Sequence, residues 1–178
     1  MTELAREYGD GLYALSQEEK IASDVLSQME MLKAAFREQP EFLKLLSNMS
    51  LSKEERVGIL DGAFRGQIHP YLLNFLKILC ERSALSEFSG CEEAFRIRYN
   101  QDNGIIEASV TTAAPLSADQ RARMQEKLCR MTGKQIRLIE KVDEKVIGGV
   151  LLEMNGQRYD STLRQRLDSI HQAMISEA

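Results

Sequence analysis

Apolar residues recur every three to four positions through the first hundred residues, and a period of two first appears after Asn103-Gly104. Leu4-Ala5, Tyr8, Leu12 and Leu15 lie on one face of a helix over residues 3–15. Ile21, Val25, Leu26, Met29, Leu32, Ala35 and Phe36 repeat the pattern over 18–38. Pro40 ends that helix or opens the next, because proline suits a first helical turn and disrupts an interior one. Phe42, Leu43, Leu45 and Leu46 predict a short third helix. Ser52 followed by Glu55 has the spacing of a capping box and opens a fourth, with Val57, Ile59, Leu60, Ala63 and Phe64, which Gly66 stops. His69-Pro70 opens a fifth through Leu79, broken over Ser83 to Ser86. Phe88, Cys91, Ala94, Phe95, Ile97 and Tyr99 predict a sixth.

Beyond Gly104 the run from Ile105 to Thr112 is β-branched and partly alternating, the pattern of a strand. Ser117 and Gln120 form a second capping-box spacing, opening a helix through Met131 that Gly133 ends. Ile136, Leu138 and Ile139 predict a second strand, and the run from Ile147 to Met154 a third, apolar enough to be central. Asn155-Gly156 before Gln157-Arg158-Tyr159 is a hairpin-turn signal. Asp160-Ser161-Thr162 caps a last helix with Leu163, Leu167 and Ile170 apolar. The fold class expected is mainly α: an N-terminal six-helix bundle over 1–104, then a small α+β domain over 105–178 in the order β-α-β-β-α.

Two helices carry more apolar surface than one core face needs. In the fifth, Tyr71, Phe75 and Ile78 form one stripe, and Leu72, Leu76 and Leu79 the adjacent one. Such a helix is either central in its bundle or also exposes a groove. In the first, Gly9 and Gly11 cost about 1 kcal/mol each in helix propensity relative to alanine, so their presence points to close packing there.

Composition narrows the functional classes. Net charge is −4, against a nucleic-acid footprint. Residues 1–104 carry 12 Lys and Arg against 17 Asp and Glu, which suits a basic partner segment. Cys80, Cys91 and Cys129 are odd in number and widely spaced, unlike a disulfide framework or a zinc site. Neither a signal-peptide pattern nor a membrane-length apolar run is present, so a cytosolic protein, or one peripheral to a membrane through a partner, is expected. The two histidines, His69 and His171, have no ligand-spaced neighbours. Asp143-Glu144 in a turn reads as solvated charge, and Gly148-Gly149 lacks the rest of a phosphate-loop motif. Arg158, Arg164 and Arg166, and also Arg121, Arg123, Lys127 and Arg130, suit either an anionic partner or a solvated basic face. No catalytic, cofactor-binding or metal-binding set is expected. A small enzyme using Asp143, Asp160 and nearby arginines is the weakest reading. A helical adaptor binding an amphipathic partner helix is the main alternative to a more specific assignment.

That assignment comes from a resemblance over the whole chain. Ala5-Arg6-Glu7-Tyr8 with Leu12-Tyr13-Ala14-Leu15, Asn74-Phe75-Leu76-Lys77-Ile78-Leu79, and Ala113-Ala114-Pro115-Leu116-Ser117 are similar to segments of one family. The most specific match is the run from Val142 to Val150, followed at the right distance by Asp160-Ser161-Thr162-Leu163-Arg164 and Leu167. The chain resembles the delta subunit of bacterial F-type ATP synthase, the family that includes the mitochondrial oligomycin-sensitivity-conferring subunit. It departs from the usual pattern at Gly9 and Gly11, often alanines, and at Arg82-Ser83-Ala84, usually Asn-Gly-Arg. The resemblance implies a non-catalytic stator subunit joining the alpha/beta catalytic head to the peripheral stalk, peripheral at the cytoplasmic face of the membrane. It implies that N-terminal segments of the alpha subunits lie in a groove of the first and fifth helices, lined by Tyr8, Gly11, Leu15, Tyr71, Phe75 and Ile78. It also implies that the second domain holds the ends of the b subunits.

Overall fold

The computed structural model describes residues 1–161 apart from Met49, Lys145 and Ile147. The chain forms two compact units that divide between Tyr99 and Asn100. The first contains α1 (Glu3–Glu18), α2 (Ala22–Glu38), α3 (Pro40–Leu46), α4 (Lys53–Phe64), α5 (Pro70–Glu81), a one-turn 3-10 helix (Leu85–Glu87) and most of α6 (Phe88–Asp102). The second contains β1 (Ile105–Thr112), α7 (Ala118–Thr132), β2 (Gln135–Val142), β3 (Val150–Met154) and β4 (Gln157–Asp160). The fold is therefore mainly helical, with a small mixed sheet after the helices.

Local chemistry explains several of the helix ends. The Thr2 side chain accepts from the Ala5 amide at the start of α1. Ser52 and Ser117 each accept from the amide three residues on, and Glu55 and Gln120 return the bond, so both capping boxes form. Gly133 ends α7 at φ 66°, a left-handed position that glycine takes without a Cβ penalty. One break carries no such signal. The sequence predicts a second helix from residue 18, whereas α1 runs on to Glu18 and α2 begins at Ala22. Lys20 adopts φ 59° and the Ile21 amide donates to the Ser16 carbonyl at 2.9 Å, which turns the chain without glycine or proline.

The first unit is held by one apolar core. Val25, Met29 and Leu32 of α2, Leu72, Leu76 and Leu79 of α5, and Phe88, Cys91 and Phe95 of α6 are all buried. Phe36 stacks on Phe42 and meets Phe64 and Phe88 edge-on, tying α2 to α3, α4 and α6. The α1–α6 seam is closer than side chains allow. A Cβ on Gly9 would lie 2.5 Å from the Cys91 carbonyl oxygen and 2.7 Å from the Ala94 Cβ. Buried charge is paired or hydrogen-bonded. Glu92 lies between Lys33 and Arg96. The Arg56 guanidinium donates to the Leu46 carbonyl at 3.3 Å and the Cys80 carbonyl at 3.4 Å, meeting the negative ends of α3 and α5.

In the second unit the strand order is β2-β1-β3-β4. β1 pairs in parallel with β2, Ile106 opposite Ile136, with α7 as the crossover. It pairs antiparallel with β3, Val110 opposite Leu152. Alternate residues Ile106, Ala108, Val110 and Thr112 of β1 are buried, and Leu128 of α7 packs into the same core as Ile106, Ala108 and Ile136. The expected order β-α-β-β-α is one strand short, because Gln157–Asp160 completes a hairpin by pairing with β3. Asn155 and Gly156 both have positive φ, 51° and 74°, as that tight turn requires. The third strand also starts later than its apolar run, at Val150, since Gly149 at φ 88° bends the chain first. Of the expected last helix, residues from Thr162 onward, including Leu163, Arg164, Arg166, Leu167, Ile170 and His171, lie outside the described residues.

Candidate functional site

An open apolar groove of about 630 Å³ runs between α1 and α5. Tyr8, Gly11 and Leu15 line it from α1, and Tyr71, Phe75 and Ile78 from α5, so all six residues expected at the site share one cavity. The helical repeat explains the convergence. On α5 the stripe Leu72, Leu76 and Leu79 is fully buried, which turns the adjacent stripe outward beside α1. Ile78 and Leu15 of the lining are 44 % and 41 % exposed, and Leu4, one turn before Tyr8 on the same stripe of α1, is 40 % exposed. The Tyr8 and Phe75 rings meet edge to face at 6.4 Å between centroids and form part of the wall.

Gly9 and Gly11 have different tasks. Gly9 allows the α1–α6 contact, whereas a Cβ on Gly11 would meet nothing within 4 Å. Gly11 therefore deepens the groove rather than relieving a clash. Glu7, Leu12 and Asn74 also line the cavity, beyond the six residues expected there. Leu12 carries a signal, since it lies on the apolar repeat of α1. Asn74 was visible as a polar residue within an apolar helix, and Glu7 as the neighbour of Tyr8 on the solvent side.

The site is built on fixed supports. Lys77 of α5 is ion-paired to Asp61 of α4, which also holds Arg65. The Lys77 ammonium, and after it Arg65, keep the Asp61 carboxyl below its ordinary value of 3.8 against the effect of burial. His69 is the N-cap of α5, its Nδ1 accepting from the Tyr71 amide at 3.3 Å. Burial pushes the Cys91 thiol up to about 11, so it serves as a small apolar side chain under α1.

The second unit has an apolar cavity of about 400 Å³ lined by Met124, Leu128 and Met131 of α7 and by Val150, Leu152, Met154 and Tyr159 of the β3–β4 hairpin. Lys127 borders it. The α7 arginines are engaged: Arg121 with Glu140, Arg123 with Asp119 and Arg130 with Glu126. Arg158 faces Asp160 at 3.7 Å. Among the described residues, no three His, Cys, Asp or Glu side chains gather where a metal ion could be held. No described helix is long and apolar enough to cross a membrane.

Comparison with known proteins covers nearly the whole chain. The ATP synthase subunit delta of Halalkalibacterium halodurans is 27 % identical over 174 residues, covering 97 % of this chain and 95 % of that protein. That of Enterococcus faecalis is 28 % identical over 173 residues, covering 97 % and 96 %. A chain of the Toxoplasma gondii mitochondrial ATP synthase hexamer shares the fold, with a TM-score of 0.74 at 21 % identity over 98 % of both chains. The family profile described as ATP synthase delta (OSCP) subunit matches residues 4–174. The chain therefore belongs to the ATP synthase delta (OSCP) subunit family.

Proposed function

We propose that the α1–α5 groove receives the N-terminal segments of the alpha subunits, and that the C-terminal domain receives the ends of the b subunits. Family membership makes the chain a structural, non-catalytic stator subunit that links the catalytic head of ATP synthase to its peripheral stalk. The proposal adds the division of labour. Residues 1–104, as a six-helix bundle, grip the head, and residues 105–178 grip the stalk at the cytoplasmic face of a bacterial membrane.

The supporting observation is the groove. It is apolar, lined by residues at helical spacing on both walls, and set on a core that is already complete beneath it. An amphipathic segment laid there would bury the exposed Leu4, Leu15 and Ile78, at roughly 25 cal/mol per Å² before ordering costs. A stator works by resisting torque. It needs durable contacts at both ends and a stiff body between them, and no reacting group.

The test is titration of the full chain with a synthetic peptide of the alpha N-terminal segment, for the parent and for Tyr8→Asp and Ile78→Asp. Each carboxylate would be desolvated by the bound peptide, so each variant is expected to weaken binding at least about tenfold. Unchanged affinity in both variants would remove the groove from the function.

A further inference from the structure

The groove has an electrically one-sided rim, and from it we infer that the docking helix carries lysine or arginine along the edge that faces α1. The inference rests on the groove being the docking site and adds the chemistry of the occupant. On α1 the groove is lined by Tyr8, Gly11 and Leu15, and Leu4 continues that stripe one turn earlier. One position earlier at three of these levels stand Glu3, Glu7 and Asp10, with Glu18 a turn beyond Ala14 on the same column. A spacing of 3, 7, 10, 14 and 18 is one column of a 3.6-residue helix, so the acidic column runs directly beside the apolar one. The buried face of α1, Ala5, Gly9, Leu12, Tyr13 and Ser16, lies on the other side of the groove stripe. The acidic column is therefore the outer edge of the groove, and Glu7 reaches into its lining.

All four carboxylates are exposed, and none has an ion-pair partner among the described residues. Arg6, the one basic residue of α1, stands one turn from Glu3 and Asp10 on the side away from the groove and pairs with neither. The facing helix does not neutralise them: Lys77 is held by Asp61, Asn74 is uncharged, and Glu81 adds a further carboxylate, with Arg82 just past the end of α5. Elsewhere in the molecule exposed carboxylates on helices often meet a base one turn away, as Asp119 meets Arg123 and Glu126 meets Arg130. An unpaired acidic column beside unpaired apolar surface suits a partner that supplies both complements. The groove stripe from Leu4 to Leu15 spans about 17 Å, or three helical turns, enough for an amphipathic helix to place two or three cations over the rim. Such charges add approach rate and orientation more than depth of binding, and they fix which edge of the partner lies over α1.

The experiment uses the full chain and two synthetic helical peptides with the same leucine-isoleucine face, one with lysine and arginine along one edge, the other with glutamate there. At low salt the basic-edged peptide is expected to bind at least about tenfold tighter, mostly through faster association, with the advantage shrinking at high salt. The triple variant Glu7→Lys, Asp10→Lys, Glu18→Lys should reverse the preference. A control with the same change in net charge at exposed Glu38, Glu54 and Glu93 should keep it. Circular dichroism of each variant establishes that the helices are intact. If Ile78→Asp weakens both peptides but the parent shows no edge preference, or the control moves it as far as the rim variant, the basic edge is wrong and the groove stands. If Tyr8→Asp and Ile78→Asp leave both peptides bound as before, the groove itself is wrong.

Discussion

The first unit buries its apolar residues in several directions at once, with α2, α5 and α6 each contributing fully covered side chains such as Met29, Leu76 and Phe95. The described part of the second unit depends on β1, whose alternate residues meet Leu128 of α7 and Ile136 of β2 in a thinner core. The two also leave different surfaces open. The first exposes a groove on helices whose inner stripes are complete, whereas the second exposes Met131 and Tyr159 beside its only layer of cover among the described residues. An apolar docking surface holds its shape when the elements that carry it are fixed by a separate core, and the α1–α5 groove meets that condition.

The largest effects test this contrast. Phe95 is completely buried and meets Tyr13 edge to face at 5.3 Å. Phe95→Ala is expected to cost about 3–5 kcal/mol, whereas Leu128→Ala in the thinner layer should fall near the low end of its class, about 2 kcal/mol. Hydrogen exchange with urea melts measures both. Phe95→Ala should expose the amides of α1 and α6, and Leu128→Ala those of α7 and β1. Equal costs would mean that the second core is as tightly packed as the first.

A smaller effect separates the two glycines of α1. Gly9→Ala forces a methyl against the Cys91 carbonyl and is expected to destabilise by about 1–3 kcal/mol. Gly11→Ala meets no atom and gains helix propensity, so it should stabilise by up to about 1 kcal/mol. Thermal melts of the two single variants give the comparison. Stabilisation by both would dissolve the α1–α6 seam as the reason for Gly9.

The groove was readable in the sequence because a 3.6-residue period assigns faces without reference to neighbours. Tyr71, Phe75 and Ile78 form a surplus stripe whatever α5 packs against. That α1 lies beside that stripe came from the family resemblance, since pairing of distant helices leaves no periodic trace. The distinct roles of Gly9 and Gly11 were not separable for the same reason: each is simply a missing side chain until the neighbouring helix is known. The α1–α2 break escaped because Lys20 takes a left-handed turn that residue type does not advertise. The fourth strand was announced by its turn, Asn155-Gly156, but Gln157-Arg158-Tyr159-Asp160 has no alternating apolar pattern, and only pairing with β3 makes it a strand.

The smallest effect is electrostatic and confined to the first unit. Asp61 ties α4 to α5 through Lys77, and its folded-state carboxyl titrates below the ordinary 3.8. A depressed folded value means that the unfolded chain takes up the proton first. The stabilisation is therefore full above the unfolded value and drains away as pH falls through the folded one. Asp61→Asn removes this contribution, so parent and variant should differ by a constant amount near neutral pH and converge below 3.8. Urea midpoints from neutral to acid pH supply the measurement, with amides of α4 and α5 as local reporters and those of β1 as the reference in the other unit. A gap that stays open at the acid end would mean that Asp61 supports α5 by shape rather than by charge, and the stiffness of the groove wall would then rest on packing alone.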